Sequence, residues 1–186
     1  MNDWQGKLIR LRSVEPSDWQ IHHEWNKDTE AARTSYFIPF PTSTERDKQW
    51  AEKEALNSQA TDEYRFQIEA LANGELVGTI NTHTCNPRDG TFSYGLAVLP
   101  QHQRKGYASE AVIIVMRHFF GERRYQKVFA TVFSFNEPSM RLHESLGFQL
   151  EGRIRRMKYT RGQYFDELVY GMTLEEFFAK YGEYGE

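Results

Sequence analysis

Apolar and polar positions along this chain either alternate or recur with a helical period, and the two patterns together predict a succession of strands and helices. LIRLRSVE (8–15) alternates apolar with charged residues, as a half-buried strand does. Pro16, Ser17 and Asp18 mark a helix start leading into WQIHHEWN. Residues 34–43, TSYFIPFPTS, carry two prolines and the aromatics Tyr36, Phe37 and Phe40. Linkers rarely hold such aromatics, so an ordered loop is expected. Thr44, with Asp47 three residues on, resembles a helix N-cap for a mixed-charge helix through about Leu56.

YRFQIEAL (64–71) alternates again, Asn73-Gly74 signals a hairpin, and ELVGTINTHTCN is the returning strand. After a turn at PRDG (87–90), TFSYGLAVL (91–99) ends in an unbroken apolar run, the pattern of a buried strand. ASEAVIIVMRHFF (108–120) is apolar on nearly all sides and predicts a buried helix. KVFATVFSFN (127–136) reads as a strand, and 138–146 as a helix with Pro138 in its first turn and Gly147 at its end. FQLEGRIRRMKY and QYFDELVYGM form a hairpin around Arg161-Gly162. The order β-α-α-β-β-β-α-β-α-β-β is an α/β (α+β) pattern. Its unit at 91–136 predicts a right-handed parallel crossover in an otherwise antiparallel sheet. No repeat and no Gly/Ser/Pro-rich linker divides the chain, so one domain over 1–186 is expected.

Composition narrows the classes. With 186 residues, 39% hydrophobic and 26% charged, the chain falls among globular domains able to bury a core. A net charge of −3 gives no basic excess, so no direct nucleic-acid partner is expected. The single Cys85 excludes an internal disulfide framework, fits a reducing cytoplasm, and reads as a strand residue rather than a nucleophile. MNDWQGKLIRLR lacks the apolar core of a signal peptide, and the longest apolar run (111–116) is too short for a bilayer, so no membrane partner is expected. The six histidines show no metal spacing, and no metal is expected.

The chemistry concentrates at PQHQRKGYASEA (100–111), where Arg104, Lys105 and a lone Gly106 stand at the entrance of the apolar helix. No Gly-Lys-Ser/Thr follows, so this is not a P-loop, and no glycine pair precedes Gly106, so it is not a dinucleotide fingerprint. What remains is a helix N-terminus behind a flexible, cationic loop. Its free N–H groups and dipole suit an anion, and a glycine lets the loop wrap a pyrophosphate closely. A plain helix cap with solvated cations is the equally weighted alternative.

QRKGYA (103–108) matches the Q/R-x-x-G-x-G/A motif of the GNAT superfamily of N-acetyltransferases. NEPSMRLHESLGF (136–148) fits that family's N-x-x-S/A-x-x-L-Y-x-x-x-G-F at Asn136, Ser139, Leu142, Gly147 and Phe148. LIRLRSVEPSDW and EGRIRR…GQYFDELVYGM (151–172) resemble the RimJ/RimL group of ribosomal-protein acetyltransferases and the related spermidine N-acetyltransferases. The resemblance is firm over 91–172 and looser over 17–90. It implies a GNAT fold with a central, splayed pair of parallel strands flanked by helices, and acetyl-CoA as co-substrate. Gln103, Arg104, Lys105, Gly106, Tyr107, Ala108 and Ser109 would cradle the pyrophosphate. Leu96, Ala97 and Val98 would line the pantetheine arm with Asn136 and Ser139. The Val98 N–H would face the thioester carbonyl, although Val98 is equally an ordinary strand residue. The implied acceptor is an amine, favoured as a protein N-terminal α-amine. A small molecule such as a polyamine or an antibiotic is the near alternative, and a CoA-binding regulatory module without turnover is the rival. A monomer or homodimer is expected.

The match breaks at His143, where the family has a tyrosine that protonates the departing thiolate. An imidazole titrates near ~6.5 and a phenol near ~10, while a leaving thiol near ~8.5 can also be protonated by solvent. His143 therefore either donates a proton or packs near the co-substrate. TFSYGL (91–96) holds no carboxylate to serve as base, leaving Tyr94 and Ser134 as the polar side chains placed to help. Glu24, Glu69 and Glu167 are candidate bases from elsewhere. The basic run Arg153, Arg155, Arg156, Lys158 and Arg161 reads as a solvated strand edge or a landing place for an acidic substrate. The aromatics of 34–43 are expected to line the acceptor cleft.

Overall fold

In a computed structural model describing residues 2–35, 38–57 and 61–182, the elements follow in this order: β1 (Ile9–Arg12), a 3-10 turn (Pro16–Asp18), α1 (Trp19–Trp25), α2 (Thr29–Ser35), α3 (Thr44–Ala55), β2 (Arg65–Ala70), β3 (Leu76–Asn86), β4 (Thr91–Val98), a second 3-10 turn (Pro100–His102), α4 (Tyr107–Gly121), β5 (Lys127–Phe133), α5 (Glu137–Leu146), β6 (Gln149–Thr160), β7 (Gln163–Thr173) and α6 (Leu174–Tyr181). The strands form a sheet in the order β1-β2-β3-β4-β5-β7-β6. Pairing is antiparallel at β1–β2, β2–β3, β5–β7 and β6–β7. It is parallel at β4–β5, over 91–93 with 127–129. The mixed α/β class and the parallel pair read from the pattern are thus observed. Tyr36 and Phe37 of the aromatic loop lie outside the described residues.

The chain packs as two compact units, 1–82 with 95–114 and 83–94 with 115–186. In the first unit, β1 pairs β2 with Ile9 opposite Ala70 and Leu11 opposite Ile68, so alternation puts four apolar residues on the buried face. Helix α3 is capped by Ser43, whose hydroxyl accepts the Arg46 N–H at 3.2 Å. The expected cap Thr44 is instead the first helical residue. Asp47 is buried and takes hydrogen bonds from His23 (2.6 Å) and Thr42 (3.0 Å) rather than completing a capping box. Helix α2 was not foreseen. It buries no residue and so has no apolar stripe to read, and it starts on the Asp28 carboxylate, which accepts the Glu30 and Ala31 N–H groups.

The second unit is built on aromatic packing. Phe92 stacks on Phe119 at 4.3 Å and meets Tyr125 edge-on at 5.4 Å, and Phe120 packs on Phe177 at 5.4 Å. Burying each such ring contributes about 1.5–3 kcal/mol. Helix α5 is capped by Asn136, and it ends at Gly147 with φ +96°, the stop expected from the sequence. Arg161 and Gly162 both have positive φ, the geometry of a tight two-residue hairpin. Helix α6 is an addition to the expected order. Its signal was legible in Thr173 with Glu176 three residues on, a reciprocal capping box ahead of the buried Phe177.

Candidate active site

Two left-handed residues, Arg104 (φ +61°) and Gly106 (φ +84°), shape the turn before α4. Alternating left-handed backbone of this kind turns successive N–H groups toward one concavity. The first helical bond is Glu110 N–H to Gly106 O at 3.1 Å. Tyr107, Ala108 and Ser109 therefore have no carbonyl one turn back within α4, and their amides face out of the helix start. Residues 103–106 are exposed. A Cβ placed on Gly106 would meet only Leu8 Cδ1, at 3.1 Å, so the turn is backed on one side and open on the other. The cradle fits a phosphate-bearing ligand: amides, Arg104 and Lys105 supply positive charge, and no side chain at 106 fills the space.

Strand β4 changes character along its length. Phe92, Ser93 and Tyr94 are buried, residues 95–98 are half-buried, and Leu99 is buried again. The apolar run had predicted core throughout. Hydrophobicity alone cannot separate a core strand from the wall of an apolar groove. Leu99 N–H donates to Val77 O of β3 at 2.9 Å. Successive residues of a strand point their N–H groups to opposite edges, so the Val98 N–H is directed away from β3. The Val98 carbonyl accepts from Gln103 Nε2 at 3.2 Å, tying the turn to the strand end. Leu96 and Ala97 sit in the same half-buried stretch.

In the second unit His143 is buried, with 4% of its surface exposed. Its Nδ1 lies 2.7 Å from the Ser139 carbonyl and so carries the proton it donates there. Nε2, 2.9 Å from Tyr94 Oη, is then the acceptor of the phenol. The ring is stacked on Tyr170 and Tyr94 and edge-on to Phe148. Burial lowers the His143 pKa from its ordinary value, against a smaller opposing effect of the Ser139 carbonyl. Burial also raises that of Tyr94, with Tyr181 adding to it. Both groups are therefore neutral at pH 7. Asn136 uses its side-chain oxygen to cap Ser139 N–H at 3.3 Å. Ser134 is placed with Asp166 rather than with His143: its hydroxyl accepts the Asp166 N–H at 3.1 Å, and its own N–H donates to the Asp166 carbonyl.

The remaining acids divide. Glu69 is buried and clamped by Arg10 Nε and Arg12 Nε, each at 2.7 Å. Glu24 is exposed and paired with Lys27. Glu167 sits on β7 opposite Phe133 and Ile154. On the basic hairpin, the Asp166 carboxylate takes Arg153 Nε and the Arg156 N–H, and the Arg156 guanidinium lies 4.5 Å from the Tyr164 ring centre. Phe40 is 92% exposed. Among the described residues no group of three or more His, Cys, Asp or Glu is placed to hold a metal, and no helix is long and apolar enough to cross a membrane. Two features escaped the sequence reading. One is the direct Tyr94–His143 bond, between residues 49 apart. The other is Glu110, whose carboxylate reaches the backbone of residues 7–9.

Comparison with known proteins adds an independent line. The family model described as an acetyltransferase (GNAT) domain matches residues 9–149. The chain is 41% identical over 179 residues to the SPbeta prophage-derived uncharacterized N-acetyltransferase YokL of Bacillus subtilis (strain 168), covering 96% of this chain and 97% of that one. A GNAT-family acetyltransferase structure from Bacillus anthracis matches with a TM-score of 0.76 at 25% identity, over 92% of this chain and 98% of that one. Spermidine N-acetyltransferase from Vibrio cholerae, solved in complex with CoA and spermine, shares the fold with a TM-score of 0.77 at 21% identity, over 91% and 97% of the two chains.

Proposed function

The chain belongs to the GNAT acetyltransferase family and is an N-acetyltransferase, and from that premise we propose that it moves acetyl from acetyl-CoA directly to a weakly basic amine, a protein N-terminal α-amine of the RimJ/RimL-like kind. The carrying observation is the state of the acids: β4 has no carboxylate, and Glu69 is already held by two arginines. Neutralising an ε-ammonium (pKa ~10.4) at pH 7 costs about 4–5 kcal/mol, and an α-ammonium (pKa ~7.8) about 1 kcal/mol. A site without a strong base favours the second.

The family's donor, acetyl-CoA, supplies an acyl group activated as a thioester. The amides of Tyr107, Ala108 and Ser109, with Arg104 and Lys105, bind its pyrophosphate, and Gly106 keeps the approach open. Gln103 holds the turn against Val98. Leu96, Ala97 and Val98 line the pantetheine arm on β4, and the resemblance gives Asn136 and Ser139 the same kind of role. The Val98 N–H stabilises negative charge on the carbonyl oxygen as the amine attacks. A C–N bond forms and the C–S bond breaks. The amine gives its proton to solvent, and the sulfur takes one from the Tyr94 hydroxyl, which His143 orients through Nε2 while Ser139 holds the ring, and which solvent then re-protonates. Ser134 acts at a distance, by fixing Asp166. Residues 1–186 are taken as one catalytic domain, a monomer or homodimer in the cytoplasm.

A polyamine acceptor is the second reading, supported by the fold shared with the Vibrio cholerae spermidine enzyme. Release of free thiol from acetyl-CoA at pH 7 separates the readings. The panel is a peptide with only a free N-terminus, a peptide with only a free lysine, and spermidine. The α-amine peptide is expected to turn over fastest. Faster spermidine or lysine would reveal a base elsewhere, and CoA binding without turnover on a broad amine panel would mark a regulatory module.

A further inference from the structure

Glu110 stands in the first turn of α4, three residues past its start. Its Oε1 accepts the Lys7 N–H at 2.7 Å, and its Oε2 accepts the Leu8 and Ile9 N–H groups, each at 2.8 Å. Three consecutive amides at the entrance of β1 thus converge on one carboxylate more than a hundred residues away in sequence. Charge-assisted bonds of this kind are the strong ones. Gly6 completes the fit, since a Cβ there would lie 2.3 Å from the Glu110 Cδ. Leu8, inside the same segment, backs Gly106. Residues 6–9 therefore touch both the turn and the first coil of the helix that follows it. A carboxylate beside an anion-binding turn would repel a pyrophosphate if left bare. Here three N–H donors face it, so it braces the turn with its charge largely compensated.

We propose that Glu110 is the positioning residue of the donor-binding turn. Its bonds to the amides of Lys7, Leu8 and Ile9 hold the Tyr107, Ala108 and Ser109 amides in the orientation that receives the pyrophosphate. The inference rests on the reading that this turn binds acetyl-CoA.

The test uses the full chain with Glu110→Gln and Gly6→Ala, the second acting from the other side of the same contact. Calorimetry with CoA and with pantetheine, which lacks the pyrophosphate, is combined with hydrogen exchange of 103–112 in the ligand-free protein. Each variant should weaken CoA about 10-fold, leave pantetheine binding unchanged and speed exchange over 103–112. The KM for acetyl-CoA should rise about 10-fold, while kcat at saturating donor moves less than about 2-fold. In a Glu110→Ala background, Gly6→Ala should add little, because the group it displaces is gone. Unchanged CoA affinity in folded Glu110→Gln, or an equal loss for pantetheine, would overturn the proposal. Arg104→Ala is the control for the underlying reading. If it too leaves CoA affinity unchanged, the turn is not the donor site. If it weakens CoA while the Glu110 and Gly6 variants do not, the positioning role alone fails.

Discussion

Acidification should destabilise this protein through His22, and the structure sets the size of the effect. His22 is 7% exposed and packs against Trp50 at 4.6 Å and Trp25 at 5.7 Å. Its Nε2 lies 2.7 Å from the amide nitrogen of the fully buried Gln67. Burial lowers its pKa to about 4, with the Arg65 cation adding to the shift; Asp18, Gln67 and Asp47 oppose without cancelling it. In the unfolded chain His22 takes a proton near ~6.5. Between the two values the unfolded state binds more protons, so stability falls as pH falls. The contribution is complete above about 6.5 and lost progressively toward pH 4. The full gap is worth about 3 kcal/mol, of which about 2 kcal/mol is gone by pH 5. Denaturant unfolding of wild type and His22→Gln at pH 7.5 and 5.0 measures it. The comparison is between pH differences, because the substitution also changes packing on Trp50. Wild type should lose about 2 kcal/mol more than the variant over that interval. Equal pH dependence in the two proteins would refute the reasoning and return His22 to ordinary titration.

Gly106→Val forces a branched side chain to φ +84° beside Leu8. It should cost about 1–2 kcal/mol of stability by denaturant unfolding, and calorimetry should show CoA bound at least about 10-fold more weakly; unchanged affinity in the folded variant would leave the turn as a plain helix cap. His143→Ala should lower kcat at least ~10-fold. If the cation is the donor, the rate falls as pH rises through the His143 pKa, and because burial lowers that pKa the fall begins below the ordinary histidine range; amine deprotonation pushes the other way and makes the profile a bell. His143→Tyr should extend activity to higher pH, whereas an alanine variant with the wild-type rate and profile would assign the proton to solvent.

The legibility of this chain divides by the range of the interactions. Alternation at 8–15 and 64–71, the apolar period of 108–120 and the glycine stops located the elements because those signals are local. Helix α2 was missed because it has no buried face, and the half-buried stretch of β4 because an apolar wall reads like core. At the site, the glycine turn is a backbone feature with fixed spacing, and it was legible; the capping role of Asn136 was not read. The partners of Glu69, Glu110 and His143 are not legible. Each is chosen by tertiary contact with a residue whose type alone does not announce it: two arginines, a stretch of bare backbone and a buried phenol.

That difference bears most on the position where the motif breaks. Read along the chain, His143 stands where the motif it resembles has a tyrosine. In space, a phenol lies 2.9 Å from its Nε2, supplied by Tyr94 of β4. This hydroxyl comes from a different element, with an imidazole between it and the Ser139 carbonyl near the start of α5. The imidazole cannot turn freely, because its Nδ1–H is committed to the Ser139 carbonyl one helical turn back. Burial keeps the phenol protonated and the imidazole neutral, so at neutral pH the proton between them stays on Oη and is donated to Nε2. A neutral, oriented imidazole is a poorer acid than a cation and a better relay for a neighbouring hydroxyl. Tyr94 and His143 are therefore expected to behave as a unit. Tyr94→Phe should change the pH profile in the same direction as His143→Ala, and the double variant should be no slower than the slower single one.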